Sequence, residues 1–362
     1  MSKVGRVINQ IANRIRIFLK PNANSIVSTA SLLPARPSEL DPHHLSPYFK
    51  FSTDFYLHES VVKISRRQRL LKVEPHQSFL YQENFTPLFP RLLMVLQAYS
   101  SGISRILDHS ENTTGRAFFY LDLADGGGDY KPEISPDANF YVFCRQRQQV
   151  GIGLIPDPYT LGDISSGVHF EEYRDKEGAR AAYKKRKALI FWRGSTTGRL
   201  NSMDFHTNQR IKFCFDALEH PESIDSKITQ VVQFPNNKVV LKALHKAGVM
   251  TPRVFETEFS KYMATIDLDG NSAAWGALRK YLFLMHVIKP HSNFEMFYNV
   301  NQPDGTFTSV ENLEDIFRKI QLGGNLADNF ETAWQGYLFA REVREKIIAG
   351  NATVFPVRYL NE

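Results

Sequence analysis

The chain has 362 residues, 43% of them hydrophobic and 23% charged, with 21 glycines and 18 prolines. That composition excludes collagen-like, low-complexity and wholly disordered chains, and at roughly 100 to 200 residues per domain it predicts two globular domains. Two cysteines, Cys144 and Cys214, exclude a disulfide-built scaffold and a cysteine-only zinc site and point to a reducing, intracellular compartment. No apolar run reaches the roughly 18 residues of a membrane-spanning helix. The net charge of +6 is local: no Asp or Glu precedes Glu39, whereas Lys3, Arg6, Arg14, Arg16, Lys20 and Arg36 do. With those six set aside, the 44 basic and 38 acidic residues come into balance.

In the first twenty residues Val4, Val7, Ile8, Ile11, Ile15, Phe18 and Leu19 recur at helical spacing, with the basic side chains opposite. Such a helix can lie on an anionic membrane surface, pack on the protein's own body, or serve as a mitochondrial transit peptide. Residues 21 to 47 read as a linker, and a helical stretch follows around Arg91 to Leu107.

Ala117 to Leu123, Asn139 to Cys144 and Gly151 to Ile155 are short runs rich in aromatic and β-branched residues, and they predict buried strands. A charged segment, Phe170 to Lys187, predicts a helix, and Ala188 to Trp192 another strand. Next come a Gly/Thr loop, a helix near Gln209 to Leu218, a strand at Ile228 to Val232, and a strand at Met263 to Leu268 leading into a helix from Ser272 to Met285. Strands alternating with helices predict parallel α/β sheets in two sets. The expected division is a basic tail and linker over residues 1–46, a first domain over 47–175 and a second over 176–362.

Three segments could carry chemistry. In Thr265-Ile-Asp267-Leu-Asp269-Gly-Asn-Ser272 a strand ends in a polar turn and opens into a helix, whose N-terminus suits a phosphate, with Ser272 able to cap. It is also what a plain capped helix looks like, and the Asp267/Asp269 pair could instead hold a divalent metal against a diphosphate. In Ala188-Leu-Ile-Phe-Trp-Arg193-Gly194-Ser195-Thr-Thr-Gly198 an arginine and hydroxyl side chains stand at a strand's carboxyl end, where open α/β sheets bind ligands. In Phe118-Phe-Tyr-Leu-Asp122-Leu-Ala-Asp125-Gly-Gly-Gly128 a carboxylate precedes three glycines, which suits a general base beside a bulky ligand or a simple surface turn. Asp122 reads as structural. If Asp125 were not the base, Asp157 of the Ile-Pro-Asp-Pro-Tyr segment would be the next candidate.

The order F-W-R-G-S-T-T, then K-Y-M-A-T-I-D-L-D-G-N-S-A-A-W, with I-P-D-P-Y upstream, resembles glycosyltransferase family 90 over roughly residues 115 to 320. That family includes protein O-glucosyltransferases, capsule xylosyltransferases and bacterial lipopolysaccharide glycosyltransferases. The resemblance implies a GT-B arrangement of two Rossmann-like domains facing across a cleft. It also implies inverting, metal-independent transfer from a UDP-sugar, with no other cofactor. By the same resemblance Asp125 is the base, Arg193 with Gly194 and Ser195 contacts the nucleotide, and the turn Asn271, Ser272, Ala273, Ala274, Trp275, Gly276 cradles the diphosphate. Where related chains carry an arginine this one has Gly276, and Arg279 can take its part; Glu295 can accept from ribose hydroxyls. The implied acceptor is a hydroxyl of a glycan or lipid-linked glycan, such as a lipopolysaccharide core at the inner face of the cytoplasmic membrane. A noncatalytic binding module of the same fold and a metal-dependent enzyme remain the alternatives; no nucleic-acid partner is expected of a neutral body.

Overall fold

The computed structural model describes residues 27–28, 48–56, 68–75, 90–92, 94–114, 118–125, 139–149, 151–166, 170, 172–198, 204–234 and 236–356. The expected amphipathic helix over residues 1–20 and the glycines 126 to 128 lie outside them. Contacts divide the chain into two units, residues 1–166 with 346–362 and residues 167–345. The terminal segment therefore belongs to the first unit and not to the second as expected, because Val354 exchanges backbone hydrogen bonds with Leu154.

The first unit holds a six-stranded sheet in the order β1-β3-β2-β4-β5-β7. Its strands are β1 (Val27–Ser28), β2 (Tyr48–Tyr56), β3 (Gln68–Pro75), β4 (Phe118–Asp122), β5 (Phe140–Val142) and β7 (Gly153–Leu154), with β6 (Cys144–Gln146) outside that order. β4, β5 and β7 are parallel, but β2 runs antiparallel to both β3 and β4, so the sheet is mixed where a parallel one was expected. The helix Ser100–Thr114 buries Ile103, Ile106 and Leu107 at helical spacing and packs against β4, whose Phe119 is buried edge-on to Tyr141 of β5.

Asp157, the reserve candidate for a base, has a structural task. It is fully buried at the start of the helix Pro158–Ser166, where Oδ1 accepts the N–H groups of Tyr159 and Thr160 at 3.0 Å each and Oδ2 accepts the Thr160 hydroxyl at 2.6 Å. It is thus an N-cap followed by proline at the first helical position. Burial pushes its carboxyl up to about 7. Because the folded value lies above the unfolded one, the folded state holds the proton longer, and stability should fall as pH rises from about 4 to 7, by up to about 1.4 kcal/mol per pH unit. Asparagine caps as well and does not ionise. Chemical unfolding of Asp157→Asn over that range should therefore lose this part of the pH dependence; identical profiles for the two proteins would mean that the carboxylate is not penalised.

The second unit is built on five parallel strands: β8 (Lys187–Ser195), β9 (Ile224–Gln230), β10 (Tyr262–Ile266), β11 (His286–Pro290) and, after the short β12 (Phe294–Met296), β13 (Thr308–Val310). Their order is β9-β8-β10-β11-β13. Every residue of β10 and β11 is buried, as strands covered on both faces require. Along β8, Ile190 and Trp192 enter the larger core cluster, while Phe191 joins Tyr262, Phe283 and Met285 in a second one, which the alternation of strand side chains places on the other face. The architecture is mixed α/β with a Rossmann-like parallel sheet in this unit.

Candidate functional site

Numbered from β8, the sheet order is 2-1-3-4-5, so the chain leaves β8 toward one edge and β10 toward the other. The resulting switch point lies between the carboxyl ends of β8 and β10, where open α/β sheets bind ligands. Both motif segments of this unit finish there. Gly270, after β10, lies so close to the β8 loop that a Cβ on it would stand 3.0 Å from Thr197 Oγ1 and 3.0 Å from Arg210 Nη2, so a side chain there would press on both.

Arg210 joins the two loops. It sits on the helix Gln209–Asp216, whose N-cap Asn208 accepts the N–H groups of Arg210 and Ile211. Its Nε donates to the Asp269 carbonyl at 2.9 Å and Nη2 to the Leu268 carbonyl at 2.8 Å, while Nη1 reaches the Ser195 carbonyl at 3.3 Å and the Thr197 hydroxyl. A planar guanidinium serves here because its donors fan out in fixed directions. Sequence reasoning missed Arg210: it lies outside both motifs, 58 positions from Leu268, and only the fold brings it near.

Beneath the β10 loop lies a buried charged group. Asp267 receives Lys280 Nζ at 3.2 Å and Lys289 Nζ at 3.8 Å, and Lys280 also donates to the Ile266 carbonyl at 3.0 Å. Burial pushes the Lys280 ammonium down from its ordinary value, while Asp267 opposes that change. Desolvation pushes the Asp269 carboxyl up to about 6, opposed by a hydrogen bond from Ser292 and aided by the charge of Asp267. Arg210, Lys280 and Lys289 thus stand with the carboxyl groups of Asp267 and Asp269, three basic side chains to two acidic ones, an excess that suits an anionic ligand group. Asp267 is already engaged by two lysines, an arrangement that competes with its use as a metal ligand.

The remaining expected donor residues have definite surroundings. Arg193 does not extend toward the loops: its guanidinium lies 4.2 Å from the Phe191 ring centroid, Nη2 donates to Asp225 Oδ1 at 2.7 Å, and Nη1 donates to the Asp225 carbonyl at 2.9 Å. Asp225 is paired in register with Phe191, two residues back along β8, so the side chain folds toward the strand's amino end. Gly194 and Ser195 end β8 beside the switch point, and a Cβ on Gly194 would stand 2.6 Å from the Trp192 ring. Asn271, Ser272, Ala273, Ala274, Trp275 and Gly276 form bends and a turn, with Gly270 N–H donating to the Ser272 carbonyl at 2.8 Å. The helix expected from Ser272 begins only at Ala277, spans Ala277–Leu282, and has Gly276 at its start without a side-chain cap. The ten residues between Ile266 and Ala277 are therefore a loop. Arg279 is held by Glu256 at 2.6 Å, and Glu295 is half-buried on β12.

A cavity of about 390 Å³ lies at the opposite end of this sheet, against Ala188, Ile190, Ser223, Gly323 and Leu326. Its walls include the amino half of β8, away from the carboxyl-end position that α/β sheets use for ligands.

In the first unit, Asp125 follows β4 and is half-buried. Arg91 Nη2 donates to its Oδ1 at 2.8 Å, and Arg91 Nη1 donates to the Leu123 carbonyl at 2.7 Å, so one guanidinium fixes both the turn and the carboxylate. Asp122 is buried, and its Oδ1 accepts the Ala124 N–H at 2.7 Å, an Asx turn that starts the loop carrying Asp125.

No family model matches the chain, and no curated protein matches it. Among solved structures it is similar to one described as the crystal structure of a GtfA/B complex, at 10% identity and a TM-score of 0.29, over 60% of this chain and 51% of that one. The chain spans about half the length of that protein, and a likeness of that size carries no argument about fold or function. No helix among the described residues is long and apolar enough to cross a membrane.

Proposed function

We propose that the protein is a glycosyltransferase that takes a sugar from a UDP-sugar, with inversion and without a metal, and delivers it to a hydroxyl of a glycan acceptor such as a lipopolysaccharide core. The observation that supports a donor site most directly is the convergence of the β8 and β10 loops at the switch point of a parallel sheet, tied by Arg210 above buried Lys280 and Lys289. In this reading the diphosphate lies against Ser195, Thr197 and the loop from Gly270 to Gly276, where cationic groups stabilise charge as UDP departs. Arg193 contributes by fixing the end of β8 through Asp225, and Glu295 remains the candidate acceptor for ribose hydroxyls. Asp125, oriented by Arg91, takes the proton of the acceptor hydroxyl. The GT-B arrangement, with acceptor and donor held by separate domains, belongs to the same proposal, as does a cytoplasmic site of action at the inner face of the membrane.

Thermal unfolding in EDTA with UDP-glucose, UDP-galactose, UDP-xylose and their N-acetyl relatives tests the donor site. A ligand at 100 times its dissociation constant adds about 2.7 kcal/mol, which raises the unfolding temperature by several degrees. At least one UDP-sugar should do so in EDTA. Protection by none of them would remove the donor site, and protection only with added manganese would favour the metal-dependent alternative. Protection without release of UDP, with or without an acceptor, would favour a noncatalytic module.

A further inference from the structure

Between Asp225 and Glu256 the sequence contains no acidic residue, but it carries Lys227, Lys238, Lys242, Lys246 and Arg253. Three of these lie on the helix Asn237–Lys246, which buries only Val240 and Leu244. At 100° per residue, Lys238, Lys242 and Lys246 form a row about 12 Å long on the side opposite those two anchors. The row is flanked by two exposed aliphatic side chains, Val239 at 60% and Leu241 at 37% exposure. Among the described residues no carboxylate pairs with any of the three lysines.

The helix itself gains little from this pattern. Lysines four apart repel each other, and no acidic residue on the helix offsets them. Lys246 suits the negative end of the helix dipole, but Lys238 stands in the first turn, where a cation is unfavourable. A basic face with an internal cost and, among the described residues, no acidic partner suits an external anionic one. Lysine is a flexible point charge, and the helix carries no arginine fork and no Phe, Tyr or Trp platform of the kind that reads nucleic-acid bases. Charge centred between aliphatic flanks matches an interface of phosphate headgroups above acyl chains.

We propose that the helix Asn237–Lys246 docks on an anionic lipid bilayer, with Lys238, Lys242 and Lys246 on the headgroups and Val239 and Leu241 entering the interface. This helix is a different stretch of sequence from the basic residues 1–20, and the proposal does not depend on the glycosyl-transfer reading.

Co-sedimentation of the full chain with vesicles of phosphatidylcholine alone, or mixed with phosphatidylglycerol, tests the proposal. The wild type should partition onto the mixed vesicles, less strongly as salt rises. K238Q/K242Q/K246Q should lower that partition roughly 100-fold, about fivefold for each lysine, whereas K238R/K242R/K246R should retain it. The N-terminal residues are the same in all three proteins, so the difference reports the helix. V239S/L241S, which keeps the charge, should lower partition severalfold and serves as the second variant if the glutamine protein does not fold. Equal partition of wild type and folded glutamine variant would overturn the proposal. So would lysine-dependent binding to single-stranded RNA without partition onto vesicles, which would assign the face to nucleic acid. No sugar nucleotide enters these measurements, so their failure is distinct from failure of the proposed activity.

Discussion

Asp125→Asn should lower sugar transfer roughly 10² to 10⁴-fold while leaving the fold intact. A sugar hydroxyl is a weak nucleophile at neutral pH, and a positioned base contributes a factor of that size. Asparagine has the same shape, and its carbonyl oxygen can still accept from Arg91 Nη2, which now lies 2.8 Å from Asp125 Oδ1. What it cannot do is take a proton. The Arg91–Asp125 pair is partly exposed, at 23% and 40%, so losing its charge should cost no more than about 1 kcal/mol of stability. UDP-sugar affinity should also hold, because the proposed donor residues belong to the parallel-sheet unit. Rates under saturating donor and acceptor, with the unfolding midpoint of each protein, separate these effects. Near-normal transfer by a folded Asp125→Asn protein would remove Asp125 from the mechanism. It would also leave no reserve among the aspartates singled out in this unit, since Asp157 is a fully buried helix cap and Asp122 a buried turn residue.

The sequence made some features of this arrangement legible and concealed others, for reasons visible in particular residues. Strands β4, β8 and β10 carry apolar or aromatic runs with polar loops behind them, so their positions, and the loops that follow β8 and β10, could be read directly. β11 could not, because His286, Lys289 and Pro290 interrupt the apolar pattern of a strand that is nonetheless fully buried; Lys289 is there because Asp267 accompanies it. The helix start was misplaced by five residues, since a Ser after Asp-Gly-Asn imitates an N-cap, whereas Gly270 N–H and the Ser272 carbonyl close a tight turn instead. Arg193 looked like a ligand because arginine at a strand's end has two directions open to it. The choice between them rests on Asp225, 32 residues away and visible only once β9 is paired with β8. Arg210 has no local signature at all. Long-range charge pairing is what local pattern cannot carry, and here it determines the site.

The same buried charges give the second large effect, which falls on stability. Asp267→Ala should destabilise the protein by about 3–5 kcal/mol, because it leaves two largely buried ammonium groups without their counter-charge. Lys280 and Lys289 expose only 13% and 11% of their side chains, and Asp267 3%. Asp269→Asn should behave differently, although it lies only two positions on. Its carboxyl is already pushed up to about 6, so the folded state retains its proton above the unfolded value, and the stability associated with that proton is lost as pH rises through 6. Replacing it by a neutral amide should therefore be mild at pH 5 and, at pH 8, mild or stabilising. Unfolding midpoints of both variants at the two pH values would show the contrast. A further pair sharpens it: Lys280→Met in the Asp267→Ala background should recover part of the lost stability, since it removes one of the stranded charges, whereas independent sites would add. A metal-binding pair of aspartates predicts another outcome, in which both variants fold normally and both lose manganese-dependent transfer. Finding that result, or finding Asp267→Ala as stable as the wild type, would show that the lysines do not depend on Asp267 and that the β10 loop is held by something else.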